Sequence, residues 1–268
     1  MDLENLCTQT LNLAVEVGEF IENERSRFSA SSVESKGLHN YVTYVDKKAE
    51  EKIIEGLKVL LPEAGFLAEE GTVNSELEKY NWIIDPLDGT TNYIHGLPPY
   101  AISIALMEDK EVILGVVYEI CFRERFYAWK GSKAWLNGRE ITVSRADKIS
   151  DSLIATGFPY TNFEMIDQYM HSMRWFMKNS HGLRRLGSAA TDMAYVACGR
   201  FEGFYEYGLN PWDVAAAALI IERAGGMNCD FSGEKNHIFG GTIISSNAAI
   251  FDEFKDVIYN IMVKEKKL

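Results

Sequence analysis

Apolar residues in the first sixty positions recur with a helical period. Leu3, Leu6, Cys7, Thr10, Ala14, Val17 and Ile21 share one face, predicting a long helix over residues 2–28. Ala49, Ile53, Leu57 and Leu60 predict a second helix that starts near Asp46 and stops before Pro62. The polar, Ser- and Gly-rich stretch 29–44 between them suits a hairpin or a mobile loop. Beyond Pro62 the period shortens. Residues 66–68 and Trp82-Ile83-Ile84 are short apolar runs without solvent-facing alternation, as buried strands are, with a charged connector over 74–81. Runs at 101–107, 112–118 and 125–129 follow, then a short strand within 131–138 that ends in an Asn-Gly turn. These consecutive hairpins predict an antiparallel sheet. From about residue 150 strands alternate with helices: strands at 153–156, 183–186, 204–207 and 242–246, helices at 162–178, 187–198, 211–224 and 248–263. The Met-rich helix at 162–178 suits a core or an interface. The change of pattern divides one α/β unit into an N-terminal subdomain, about 1–148, and a C-terminal subdomain, about 149–268.

Composition narrows the classes. The 268 residues are 47% hydrophobic and 25% charged, enough for one large domain or two tightly fused subdomains. No apolar run approaches the roughly 20 residues of a membrane span. The start, MDLENLCTQ, lacks signal-peptide character. Four scattered cysteines without a CxxC pair read as reduced thiols of a cytoplasmic protein. The net charge of −12 disfavours a nucleic-acid-binding face.

The chemistry concentrates where the 82–84 strand meets Asp85-Pro86-Leu87-Asp88-Gly89-Thr90-Thr91-Asn92. Pro86 removes a backbone donor and fixes φ, so the chain is expected to leave the sheet there. Asp88-Gly89 is a turn pair, and the Thr-Thr-Asn run offers caps for a helix. Amides of Gly89 and Thr90 at a helix start suit an anion. The carboxylates of Asp85 and Asp88 would repel that anion unless cations lay between, and Mg²⁺, which takes carboxylate and phosphate oxygens, fits. The bland alternative is a tight turn whose Asp and Thr residues only cap the backbone. Other acidic residues carry the same ambiguity. Glu69 and Glu70 follow a buried strand, so one of them can point inward. Asp46 reads as an N-cap, Asp213 as a charge set against a helix dipole, and Lys36 as loop surface.

WIIDPLDGTTNYIHGLPPY (82–100) resembles the signature of the inositol monophosphatase family, and Trp212-Asp213-Val214-Ala215-Ala216-Ala217 leading to Glu222-Arg223-Ala224-Gly225-Gly226 resembles its second signature. The resemblance covers essentially the whole chain. It implies a layered αβαβα sandwich of the inositol monophosphatase/fructose bisphosphatase type, a homodimer, lithium sensitivity, and a Mg²⁺-dependent phosphomonoesterase with two or three ions per site. By family position Glu69, Asp85, the Leu87 carbonyl, Asp88 and Asp213 would hold metal. Thr90, held by Asp46, and Glu69 would orient and deprotonate the attacking water, and Lys36 would reach a water on a third ion. Asp88, Gly89, Thr90, Ser188, Ala189 and Glu206 would face the substrate. Arg184 and Arg185 are left between a substrate and a subunit contact.

The expected substrate is myo-inositol monophosphate or a similar polyol phosphate. Fructose-1,6-bisphosphatase or histidinol-phosphate phosphatase activity stays open, as does a binding or regulatory protein that keeps the fold. The spacing DxxDGT rules out the DxDx[TV] of haloacid-type phosphatases, and neither GxSxG nor HExxH occurs.

Overall fold

The computed structural model describes residues 1–25, 33–37, 40–71, 78–160 and 162–264; the side chains of 33–37 and 40–42 fall outside the description. Helix α1 (Leu3–Arg25) is followed by a hairpin, β1 (Val33–Gly37) and β2 (Asn40–Thr43), and by α2 (Tyr44–Leu60). Next come β3 (Gly65–Ala68), β4 (Tyr80–Asp88), the short α3 (Thr90–His95), β5 (Ala101–Glu108), β6 (Glu111–Glu119), β7 (Glu124–Trp129), β8 (Ala134–Leu136) and β9 (Arg139–Ile141). The rest comprises β10 (Leu153–Thr156), α4 (Ile166–Asn179), β11 (Gly182–Arg184), α5 (Ala189–Ala197), β12 (Gly203–Tyr207), α6 (Pro211–Arg223), β13 (Gly226–Cys229), β14 (Thr242–Asn247) and α7 (Phe251–Tyr259).

Strands β3 to β9 form a seven-stranded sheet in sequence order, antiparallel except for the parallel β3–β4 pair. A five-stranded mixed sheet has the order β11-β10-β12-β14-β13. Three apolar cores stack the layers. The inner faces of α1 and α2 pack on Trp82, Ile84, Ile102, Ile104 and Leu106 of the large sheet. The opposite face of that sheet, with Ile83, Ala101 and Ala105, meets α5 and α6, which also cover Phe204 and Ile243 of the small sheet. Beyond, Tyr205, Tyr207 and Ile244 pack against Tyr169 and Phe176 of α4 and Phe254 of α7. The expected αβαβα sandwich is therefore present, and its two covered sheets explain apolar runs that lack alternation.

Small residues bring α6 close to the large sheet. A Cβ on Gly115 of β6 would stand 2.5 Å from the Ala216 carbonyl oxygen. Opposite Asp85, Ser103 of β5 donates a 2.9 Å hydrogen bond to the Trp212 carbonyl. That bond pins the first turn of α6 beside the end of β4.

Three expectations need correction. The chain does not leave the sheet at Pro86, because β4 continues to Asp88 through a register shift between Asp85 and Asp88. Asp46 is not the N-cap of α2: Thr43 is, and Asp46 is the N3 residue of a capping box. Strand β13 begins at Gly226 as a further edge strand, too short to show a period. The 162–178 helix begins later, at Ile166. Within the 29–44 stretch, the described residues 33–37 and 40–43 pair antiparallel, as the hairpin alternative expects, and the rest of it up to 39 lies outside the described residues. Cys7, Cys121, Cys198 and Cys229 are free thiols. No helix among the described residues is long and apolar enough to cross a membrane.

Candidate active site

In a regular strand, side chains three apart point to opposite faces. Between Asp85 and Asp88, β4 takes three steps while β5, from Ser103 to Ala101, takes two. One extra residue is a β-bulge, and it turns both carboxylates to the same face. Pro86 suits the bulge because it has no N–H to forfeit. The Leu87 N–H donates to Asp85 Oδ1 at 2.9 Å and closes the loop locally. That shared face is the one covered by α5 and α6.

Other segments converge there. Ala68 of β3 pairs with Ile84, so Glu69 follows directly beside Asp85, and its N–H donates to the Ile84 carbonyl at 3.2 Å. Asp213 comes from the first turn of α6, where its Oδ2 accepts the Asn210 N–H at 2.7 Å. Glu69, Asp85, Asp88 and Asp213 line one cavity of about 180 Å³ with Leu87, Gly89 and Thr90. Asp85 is 2% exposed. Burial, then repulsion from Glu69, Asp88 and Asp213, holds its carboxyl well above the usual range. Asp213 is likewise raised, by burial first and then by Glu69 and Asp88. Asp88 is pushed up to about 6 by burial, against donors that pull it down: Ser188 Oγ at 2.6 Å and the Ala190 N–H at 2.7 Å, both on Oδ2.

Thr90 stands at the start of α3 after Gly89, whose φ of +94° favours glycine. A Cβ on Gly89 would also meet the Pro99 carbonyl oxygen at 3.0 Å. Thr90 Oγ1 lies 3.0 Å from Asp46 Oδ1 and 3.0 Å from the Leu87 carbonyl oxygen. Asp46 Oδ2 takes the Thr43 N–H at 2.9 Å and the Thr43 hydroxyl at 2.5 Å. Capping α2 and holding Thr90 are thus two uses of one carboxylate. Burial raises its pKa and these bonds lower it.

Among the expected substrate-facing residues, Ser188, Ala189 and Glu206 also line the cavity. Ser188 donates to Asp88 and caps α5 through the Thr191 N–H. Glu206, on β12, is 6% exposed, and a Cβ on Gly157 would strike its Oε1 at 1.9 Å. Arg185 lines the cavity and Arg184 does not. Lys36 falls on β1, with its side chain outside the described residues.

The donor set suits a hard divalent cation: carboxylate oxygens and one backbone carbonyl, buried together and mutually repelling, with no sulfur or imidazole ligand among the described residues of the cavity wall. Among the described residues no three His, Cys, Asp or Glu side chains are grouped closely enough to hold a metal ion together. Hydrogen bonds from Leu87 orient Asp85, from Ser188 and Ala190 orient Asp88, and from Asn210 orient Asp213.

Sequence reasoning missed three residues. Ser103 and Asn92 act through backbone carbonyls, which leave no chemical pattern in a sequence. Ser103 pins α6, and the Asn92 amide joins the Pro99 and Leu186 carbonyls at 2.8 Å each. The third is Asp192, buried in α5. Its only signal is an acid in a mostly apolar helix.

The profile of the inositol monophosphatase family matches residues 2–261. The chain is 39% identical to the Nus factor SuhB of Pseudomonas aeruginosa, covering 90% of this chain and 91% of the relative. It is 38% identical to an inositol-1-monophosphatase of Mesorhizobium japonicum, covering 88% and 90%. The structure of an inositol monophosphatase from Thermotoga maritima superposes with a TM-score of 0.86 at 37% identity, over 95% of this chain and 96% of that one.

Proposed function

The chain belongs to the inositol monophosphatase family, and from that premise we propose that it is a Mg²⁺-dependent phosphomonoesterase acting on myo-inositol monophosphate or a similar polyol phosphate. Phosphoric monoester hydrolysis is the activity of the family. The substrate, the metal and the roles of single residues are our own reading. One observation carries it: four carboxylates from three distant segments line one cavity with Thr90, which Asp46 holds.

Glu69, Asp85, the Leu87 carbonyl, Asp88 and Asp213 would hold the cations. When bound, Mg²⁺ supplies a lowered pKa for water and neutralises charge on the phosphate and the leaving oxygen. Thr90 donates its hydroxyl hydrogen bond to Asp46, so its oxygen accepts a hydrogen bond from the attacking water. Glu69, beside Asp85, takes the proton that water loses. Amides of Gly89 and Thr90 hold phosphate oxygens. Glu206 hydrogen-bonds hydroxyls of the alcohol half. Together these acts are positioning and charge stabilisation, which phosphoryl transfer demands.

Phosphate release from inositol 1-phosphate, assayed with Mg²⁺, with chelator and with Li⁺, tests the reading. We expect turnover that chelator and Asp85→Asn abolish and Li⁺ inhibits. Turnover indifferent to chelator would refute the metal assignment. No turnover on any sugar phosphate would favour a regulatory role, in line with the Nus factor name of the Pseudomonas relative.

A further inference from the structure

We propose that Glu50 is a positioning residue of this site: it fixes the main chain at Glu69, and with Asp46 it makes α2 a rigid bracket that sets the spacing between Glu69 and Thr90. The inference rests on the phosphomonoesterase reading above and deepens it.

Glu50 lies on α2 and is 0% exposed. A carboxylate without exposed surface is costly to bury and is kept where donors meet it. One donor is the Glu70 N–H, 2.7 Å from Glu50 Oε2. The place of that N–H gives the bond its use. Strand β3 ends at Ala68, so Glu69 lies past the last ladder pair. The Glu69 N–H belongs to the peptide before its Cα and donates to the Ile84 carbonyl at 3.2 Å. The Glu70 N–H belongs to the peptide after it and donates to Glu50. With both planar peptides tied, φ and ψ of Glu69 are restrained, and so is the direction in which its side chain leaves the backbone. Without Glu50, Glu69 would be anchored on the β4 side alone.

Asp46 and Glu50 are four residues apart on α2, so their side chains leave one face of the helix about 6 Å apart along its axis. Asp46 Oδ1 holds the Thr90 hydroxyl at 3.0 Å. One helix thus grips the two residues read above as orienting the attacking water and taking its proton. Hydrogen bonds within α2 keep its two carboxylates at a constant spacing. The spacing of Glu69 and Thr90 then follows from the helix rather than from the chain ends that carry them. Such a bracket matters for in-line attack, because a misplacement of about 1 Å at a reacting group can cost about a hundredfold in rate.

The test compares Glu50→Met, which removes the acceptor and keeps a side chain of similar length, with Glu50→Gln, which keeps an acceptor oxygen. It reads kcat and KM for inositol 1-phosphate and the Mg²⁺ concentration for half-maximal rate. Glu50→Met should lower kcat about 10- to 150-fold, the worth of a hydrogen bond to a charged group, and raise the Mg²⁺ requirement about tenfold. KM should move by less than about threefold. Glu50→Gln should lose less on both counts, because a neutral bond is weaker but present. In a Glu69→Gln background, Glu50→Met should cost much less than in the parent, as action through Glu69 requires. A misfolded fraction lowers the apparent kcat and leaves the Mg²⁺ midpoint in place. Hydrogen exchange reads the bond without any variant: in the unaltered protein the Glu70 amide should exchange at least about a hundredfold slower than in an unstructured chain. Exchange at the unstructured rate overturns the proposal, whether or not the variants fold. So does a Glu50→Met protein with kcat and Mg²⁺ midpoint within about threefold of the parent, and so does equal loss in the Met and Gln variants. If the unaltered protein releases phosphate from no sugar phosphate, the phosphatase reading fails by itself. Mg²⁺ binding by calorimetry then replaces the kinetics, and an unchanged affinity in Glu50→Met overturns the positioning role.

Discussion

Asp46→Asn changes the electronics at Thr90 with almost no change of shape. In the parent, Oδ2 serves two donors of Thr43 and Oδ1 serves Thr90. The introduced amide has one acceptor oxygen, and it would face Thr43, where two bonds are kept. Its NH₂ would then face Thr90 Oγ1, which becomes an acceptor. The Thr90 proton must turn to its other neighbour, the Leu87 carbonyl at 3.0 Å, an oxygen assigned above to metal. The variant thus loses one charge-assisted bond, worth about 1.5–3 kcal/mol. Carried into the transition state, that loss is roughly a 10- to 150-fold fall in kcat. The concentration of Mg²⁺ for half-maximal rate should rise as well. Stability should change far less. The cap weakens by about 1 kcal/mol, or roughly 2–4 °C in Tm for a chain of this size. Burial, which raises the pKa of Asp46, favours the neutral amide and offsets part of that loss. Steady-state kinetics with a Mg²⁺ titration, beside thermal denaturation, separates the two effects. A variant with kcat within about threefold of the parent and a clearly lowered Tm would show that Asp46 only caps α2.

Other positions give independent checks. Ser103→Ala removes the bond to the Trp212 carbonyl that pins α6, and should raise the Mg²⁺ requirement about tenfold, read from the same titration. Gly115→Ala forces a methyl group to within 2.5 Å of the Ala216 carbonyl oxygen, and should cost about 1–3 kcal/mol in chemical denaturation. Gly157→Ala drives Glu206 from its place, and should raise KM for inositol 1-phosphate about tenfold, with the Mg²⁺ requirement much less affected.

How much of the fold is legible in the sequence depends on the kind of signal. Helices α1 and α2 announce themselves by long amphipathic periods, and the hairpins from β5 to β7 by length and turns. Strand β13, with four residues, has no period to detect. The path through Pro86 departs from expectation for a physical reason. Proline removes one donor, which normally ends a central strand, but a bulge has a place for a residue that does not donate.

The candidate site shows the same division. The acidic residues and their order along the chain were set in the sequence, as were the apolar runs and the glycines that permit close packing. Which carboxylates meet was decided by tertiary structure: the one-residue bulge that puts Asp85 and Asp88 on one face, and the Ser103 bond that holds Asp213 near them. Periodicity reports which face of an element is covered, whereas charge proximity depends on contacts between residues from different segments, up to more than a hundred positions apart, and only the packed layers bring these together.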